Sequence, residues 1–366
     1  MKKYLLIFLL FSLAGCSLPT APAPKPTVPH LAPATTTPTP VATSTAAPTA
    51  SPLPYLMYPY TLAGLRGRSY PGGKVNLRTQ LALTETYTRW LIDYPSDGLT
   101  ITGILQIPQG EPGPFPVIVL NHGYVNRWEY SPGDGTDRLA ESLNDAGYMT
   151  ISPDYRGWGG SSMGPSFFYT GLVTDVLNLL ASIPSIPNAD PQRVGMLGHS
   201  MGGGITSKVL AVDTSAHVRA AILYAPVSAD DADIIARWGA GCIGDAAIAT
   251  CNAADVVPDA VPAEIRDAYL QAASDPQILR ETSPLDHLEW INTPIQIHIG
   301  TADGQVISAV PPEWSKKFFD ALVKAGKPAE IFWYEDQGHS FVGDGRDLFL
   351  QRMVMFFDKW VKMPAE

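Results

Sequence analysis

The chain has 366 residues, a formal net charge of −10 and 45% hydrophobic residues. The acidic balance argues against a nucleic-acid partner, because phosphate binding needs a basic surface. The hydrophobic fraction can bury a substantial core, and the length fits one large α/β domain of roughly 300 residues once an N-terminal stretch is set aside.

The chain begins MKKYLLIFLLFSLAGC, with Lys2 and Lys3 ahead of an apolar run that ends in small residues. This is the layout of a signal peptide, and the run is too short for an ordinary membrane span. The tetrad Leu13-Ala14-Gly15-Cys16 resembles a bacterial lipobox. The resemblance implies a signal over residues 1–16, lipidation of Cys16, and an exported cell-envelope protein anchored to a membrane on its extracytoplasmic side. The alternative is a plain secretory signal that contains a cysteine. Residues 17–54 are mostly Pro, Thr, Ala and Ser, which cannot bury a core. Such a linker would reach roughly 100 Å at about 3.1 Å per residue. It would tether a folded domain over residues 55–366.

That domain reads as alternating strands and helices. Tyr87–Tyr94 and Leu99–Ile107 are strands joined by the turn Pro95-Ser96-Asp97-Gly98. Pro116–His122 is a continuous apolar run, the pattern of a strand buried on both faces. A helix through Leu139–Leu143, a strand over Tyr148–Pro153 and a helix over Gly171–Ser182 follow. Then come the strand Arg193–Leu197, the helix Met201–Val212 and the strand Ala220–Tyr224. Strands over Ile295–Ile299 and Ala329–Tyr334 and helices over Glu313–Ala325 and Leu348–Lys362 complete a mostly parallel sheet with helices on both faces. Residues 227–290 break the alternation and hold no clear strand. An insertion there would overhang the carboxyl ends of the strands, where open α/β sheets bind ligands, and is expected to be a cap. Within it, Cys242 and Cys251 are a candidate disulfide in an exported protein; the alternative is two buried free thiols.

Gly198-His199-Ser200-Met201-Gly202 matches G-x-S-x-G between a strand and a helix. The pattern sets Ser200 on a tight turn, with glycines where the backbone packs closely and a helix dipole aimed at developing negative charge.

With its neighbours, this segment identifies a resemblance to the α/β-hydrolase superfamily. More narrowly, the chain resembles the catalytic domain of the prolyl oligopeptidase (S9) family and dienelactone-hydrolase-like enzymes. The carrying segments are YPSDGLTITGILQIP, PFPVIVLNHGY, ISPDYRGWGGS, VGMLGHSMGGG, SPLDHLEWINTPIQIHIGTADGQV and IFWYEDQGHSF, spread over residues 85–362. The resemblance implies the α/β-hydrolase fold and a triad in the order Ser200, Asp303, His339: nucleophile, orienting acid and general base. Asp336 and Asp344 are rival acids, but they lie too near His339 in sequence for the family pattern. The same pattern assigns the oxyanion hole to the backbone N–H of Met201 and to one from the loop after Leu120, matched at Tyr124, with other amides of that loop as alternatives. His122 and His199 read as structural, and His217, His287 and His298 lack ligand spacing. Neither a metal nor an organic cofactor is implied. Tyr155 and Trp158 are either pocket lining or plain core.

The chain departs from full-length S9 peptidases in one respect. Only about 30 residues separate the linker from the first strand, too few for a β-propeller. The expected reaction is therefore hydrolysis of a carboxylic ester, small amide or short peptide through an acyl-serine. The alternatives are an S9-type peptidase without the propeller, a polyester hydrolase, and a non-catalytic ligand-binding surface lipoprotein.

Overall fold

The structure, a computed structural model, describes residues 56–243 and 251–363; the signal segment, Cys16 and the linker lie outside the described residues. Nine strands form one sheet: β1 (Asn76–Leu83), β2 (Tyr87–Ser96), β3 (Leu99–Pro108), β4 (Phe115–Asn121), β5 (Met149–Pro153), β6 (Ala189–His199), β7 (Val218–Tyr224), β10 (Ile295–Gly300) and β11 (Ala329–Tyr334). They lie in the order β1-β2-β3-β5-β4-β6-β7-β10-β11. From β1 to the β3–β5 pair the neighbours are antiparallel, and from β5 to β11 they are parallel. The parallel section carries its loops to one edge, so the segments after β4, β6, β10 and β11 converge.

β4 shows why the continuous apolar run was needed. Val117 and Val119 enter the core under α1 (Leu62–Arg66), α3 (Thr170–Ser182) and α4 (Met201–Val212). Ile118 and Leu120 enter the core under α2 (Asp137–Asp145) and α9 (Gly343–Phe357) on the other face. Alternate residues of one strand therefore serve two cores. The expected doubly covered, mostly parallel sheet is present. β1 and α1 were not anticipated, and α9 starts earlier than the periodicity suggested and runs on as a π-helical turn over Asp358–Lys362 to the expected end.

The cap reading needs a correction. Residues 227–290 do contain strands: β8 (Gly241–Ile243) and β9 (Asn252–Val257), paired in parallel as a separate two-stranded sheet. Both are short, and β9 carries little aliphatic bulk, so no alternation announces them. The Cys242–Cys251 disulfide joins them, with Cα atoms 5.0 Å apart. Around them stand α5 (Asp231–Trp238), α6 (Ala263–Ala272) and α7 (Pro276–Thr282). A third core, including Phe167, Phe168, Tyr269 and Ile278, fills this region. α8 (Pro312–Lys324) packs beneath the end of the sheet through Phe318 and Leu322. Among the described residues, no helix is long and apolar enough to cross a membrane.

Candidate active site

β6 ends at His199 and α4 begins at Met201, so Ser200 alone makes the turn. Its backbone sits at φ 56°, ψ −121°, a region that a side-chain-bearing residue adopts only under constraint. The constraint is visible. The Ser200 N–H donates to Tyr224 O at 3.0 Å, and Ser200 O accepts from Gly203 N at 2.9 Å and Val227 N at 3.0 Å. A Cβ at Gly202 would collide with the Asn121 and His122 carbonyls, and one at Gly198 with the Gly202 carbonyl. The glycines of the motif thus let β4, β6 and α4 close around the serine.

Ser200 Oγ lies 2.8 Å from His339 Nε2, and His339 Nδ1 lies 2.8 Å from Asp303 Oδ2. A carboxylate can only accept, so Nδ1 carries the imidazole proton and Nε2 is free to accept the serine proton. Asp303 Oδ1 accepts from the Gly304 and Val310 N–H groups at 2.7 and 3.1 Å, which locks the carboxylate plane. The Asp303 side chain is wholly buried, while a quarter of the His339 side chain remains exposed. The three residues that the sequence pattern picked out are therefore hydrogen-bonded in series. Asp336 stands apart from it, in a turn where its N–H donates to Thr301 Oγ1.

The loop after β4 approaches the serine closely: a Cβ on Gly123 would lie 3.1 Å from Ser200 Cβ. Tyr124 follows directly, and Met201 opens α4. Among the described residues neither Met201 N–H nor Tyr124 N–H has a protein acceptor.

His122 and His199 are structural, as expected. Burial pushes each pKa down to about 4, so both are neutral near pH 7. His199 Nε2–H donates to His339 O at 3.0 Å, and its ring tilts against Tyr224 and His339. His122 stacks between Tyr130 and Tyr155 at 4.6 and 4.4 Å. Tyr155 and Trp158 belong to the core and not to a pocket wall: both are 0% exposed. The Trp158 indole N–H donates to Val125 O at 2.8 Å, and the Tyr155 hydroxyl reaches His122 O at 3.5 Å. They underpin the loop that carries Tyr124.

Sequence reasoning missed Asp154 and Arg127. Asp154 accepts from the Tyr130 hydroxyl at 2.8 Å and from Thr102, and burial pushes its pKa up to about 6. Its only sequence signal was its position at the end of a predicted strand. Arg127 lies over Trp158 at 4.8 Å and donates to carbonyls of β9. No local pattern could have paired residues so far apart. No group of three or more His, Cys, Asp or Glu capable of holding a metal occurs among the described residues.

The profile described as "Alpha/beta hydrolase family" matches residues 117–352. The lysophosphatidylserine lipase of Xenopus tropicalis is 34% identical over 96 residues, 26% of this chain and 23% of the lipase, so the match spans under a quarter of that relative. In structure, an acylaminoacyl peptidase from Pyrococcus horikoshii superimposes with a TM-score of 0.58 at 20% identity, covering 77% of this chain and 43% of the peptidase. An acetyl xylan esterase from Paenibacillus sp. R4 gives 0.57 at 18% identity, over 82% of this chain and 92% of the esterase. These superpositions share the fold.

Proposed function

The chain belongs to the alpha/beta hydrolase family, and from that premise we propose that it is a serine hydrolase cleaving carboxylic esters or small amides through an acyl-serine. The carrying observation is the unbroken Ser200–His339–Asp303 relay, with both links at 2.8 Å. Ser200 Oγ attacks the substrate carbonyl carbon while its proton passes to His339 Nε2. The Met201 and Tyr124 amides receive the oxyanion. His339 then gives the proton to the leaving group, the carbon–heteroatom bond breaks, and the acyl group stays on Ser200. Water, deprotonated by the same imidazole, releases the acid and restores the serine. Asp303 stabilises the transient imidazolium.

Esters are the favoured substrates because an alkoxide leaves more readily than an amine. A peptidase is the second reading, supported by the S9-like segments and by the superposition on an acylaminoacyl peptidase, of whose length this chain covers 43%. Rates on a panel of short acyl esters and aminoacyl amides separate the two. Ester turnover at least tenfold faster supports the first reading, whereas measurable turnover of amides alone reverses it. The sequence also supports anchoring: a lipid on Cys16 would hold the enzyme at a membrane. Cys16→Ser should then shift the protein to the soluble fraction, and an unacylated mature N-terminus by mass spectrometry contradicts the anchor.

A further inference from the structure

The cap touches both loops that carry the proposed charge-handling atoms. At the end of α5, Arg237 Nη2 donates to Val306 O at 2.7 Å and Gly304 O at 3.4 Å, and Arg237 Nε donates to Ile307 O at 3.2 Å. The Trp238 indole N–H donates to the same Ile307 O at 2.7 Å. Trp238 meets Trp314 of α8 edge to face at 5.4 Å, with the Arg237 guanidinium 5.9 Å from each ring. The carbonyls so held belong to the segment that folds back to clasp Asp303 Oδ1 with the Gly304 and Val310 N–H groups.

That segment has little side-chain packing to fix it near its tip. Val306 and Ile307 are 61% and 66% exposed. Their burial therefore does not set the path of the main chain, and the bonds from α5 fall on the very carbonyls where packing is missing. On the opposite side, Arg127, three residues beyond Tyr124, donates to Ala253 O at 2.7 Å and Asp255 O at 3.1 Å in β9. β9 pairs with β8, the Cys242–Cys251 bond links them, and β8 follows α5 after two residues. A continuous path of hydrogen bonds and covalent bonds thus joins the two loops through the cap.

We propose that the cap is a brace for the reacting groups: Arg237 and Trp238 are positioning residues that hold Asp303 against His339, and Arg127 holds the Tyr124 loop to the same frame. This rests on the triad reading above. Displacing a catalytic group by about 1 Å can cost on the order of 100-fold in rate, so loosening an otherwise exposed clasp should appear in kcat. A residue that only shaped the binding pocket would act on KM instead.

The test is steady-state kinetics of Arg237→Ala, Arg237→Lys, Trp238→Phe and Arg127→Ala on one short acyl ester, with thermal unfolding recorded for each. Arg237→Ala should lower kcat roughly 10- to 100-fold with KM within about twofold, and added guanidinium ion should restore part of it. Trp238→Phe keeps an aromatic ring, smaller than the indole, and loses the N–H donor, so kcat should fall several-fold with a little-changed unfolding midpoint. That variant decides the matter if Arg237→Ala does not fold. The low-field proton resonance of the His339–Asp303 bond should broaden in both. A wild-type kcat in folded Arg237→Ala and Trp238→Phe, or a loss confined to KM, overturns the brace. Ser200→Ala is assayed alongside. If it retains wild-type turnover, the triad reading has failed; if it is inactive while the α5 variants are normal, only the brace has failed.

Discussion

The elbow around Ser200 and the cap around β8 and β9 keep their shapes by opposite means. At the elbow, shape follows from steric closeness: all 12 residues of α4 are buried, and the glycines leave no room for a side chain. The cap has a small core of its own and relies besides on polar partners brought from afar. Asp255 accepts from Phe168 N at 3.1 Å, Tyr169 N at 2.9 Å and the Tyr269 hydroxyl at 2.6 Å. Lys208 of α4 reaches up to Asp231 and to Thr282 O, each at 2.6 Å, in full burial. Close packing leaves a mark on local sequence, because only small residues fit. A long-range polar network leaves almost none, because each partner is an ordinary residue until the fold joins them.

The largest structural effect should come from cutting the tie between the two regions. Lys208→Met removes one partner of a buried ion pair and leaves Asp231 uncompensated, which should cost about 3–5 kcal/mol. Urea unfolding measures it. If the double variant Lys208→Met, Asp231→Leu is no more stable than the single one, the uncompensated charge is not the cause.

A smaller effect is expected at the elbow. Gly202→Ala drives a methyl group into the Asn121 and His122 carbonyls, which are backbone atoms of β4 and its loop. Overpacking of this kind costs about 1–3 kcal/mol. Because the displaced loop bears the Tyr124 amide, turnover should fall further than stability does. Activity and unfolding midpoints both close to wild type would show that the elbow is less tightly built than its geometry indicates.

The smallest effect is the dependence on pH. Burial pushes His122, His199 and His298 down to about 4, about 4 and about 3 from 6.5. A depressed histidine contributes stability that is present above its ordinary pKa and lost as pH falls toward the folded value. Burial pushes Asp154 and Asp255 up to about 6 from 3.8. Their contribution runs the other way, present at low pH and lost as pH rises through about 6. The raised Asp231 and His217 act in the same direction as the two carboxylates, but the three histidines carry the larger shifts, so stability should fall modestly from pH 7 to pH 5. Asp255→Asn removes one opposing contribution and should steepen that fall. A urea midpoint that rises on acidification contradicts this assignment of buried groups.

The same contrast explains what could be read in advance. The α4 boundaries and the β11 boundaries matched because period and turn chemistry fix them locally. Ser200, Asp303 and His339 were legible because a strand–turn–helix motif and a family order single them out. β8 and β9 were missed because three residues are too short to show a period, and the six of β9 pair alanines and valines side by side without alternation. The pairing of Cys242 with Cys251 was one of two readings the sequence left open, but the roles of Arg127, Arg237 and Asp255 were not legible. Tyr155 and Trp158 could be assigned to pocket or core only once their burial was known, since an aromatic residue after a strand serves either purpose.

The central claim is that Ser200 is the nucleophile of a working relay. The most direct measurement is labelling with a fluorophosphonate probe, followed by proteolysis and mass spectrometry of the modified peptide. One equivalent of probe on Ser200, with labelling absent in Ser200→Ala and strongly slowed in His339→Ala, is the predicted result. Turnover should fall with the serine by about 10⁴–10⁶-fold. Equal labelling of wild type and Ser200→Ala, or a probe mapped to another residue, would contradict the account.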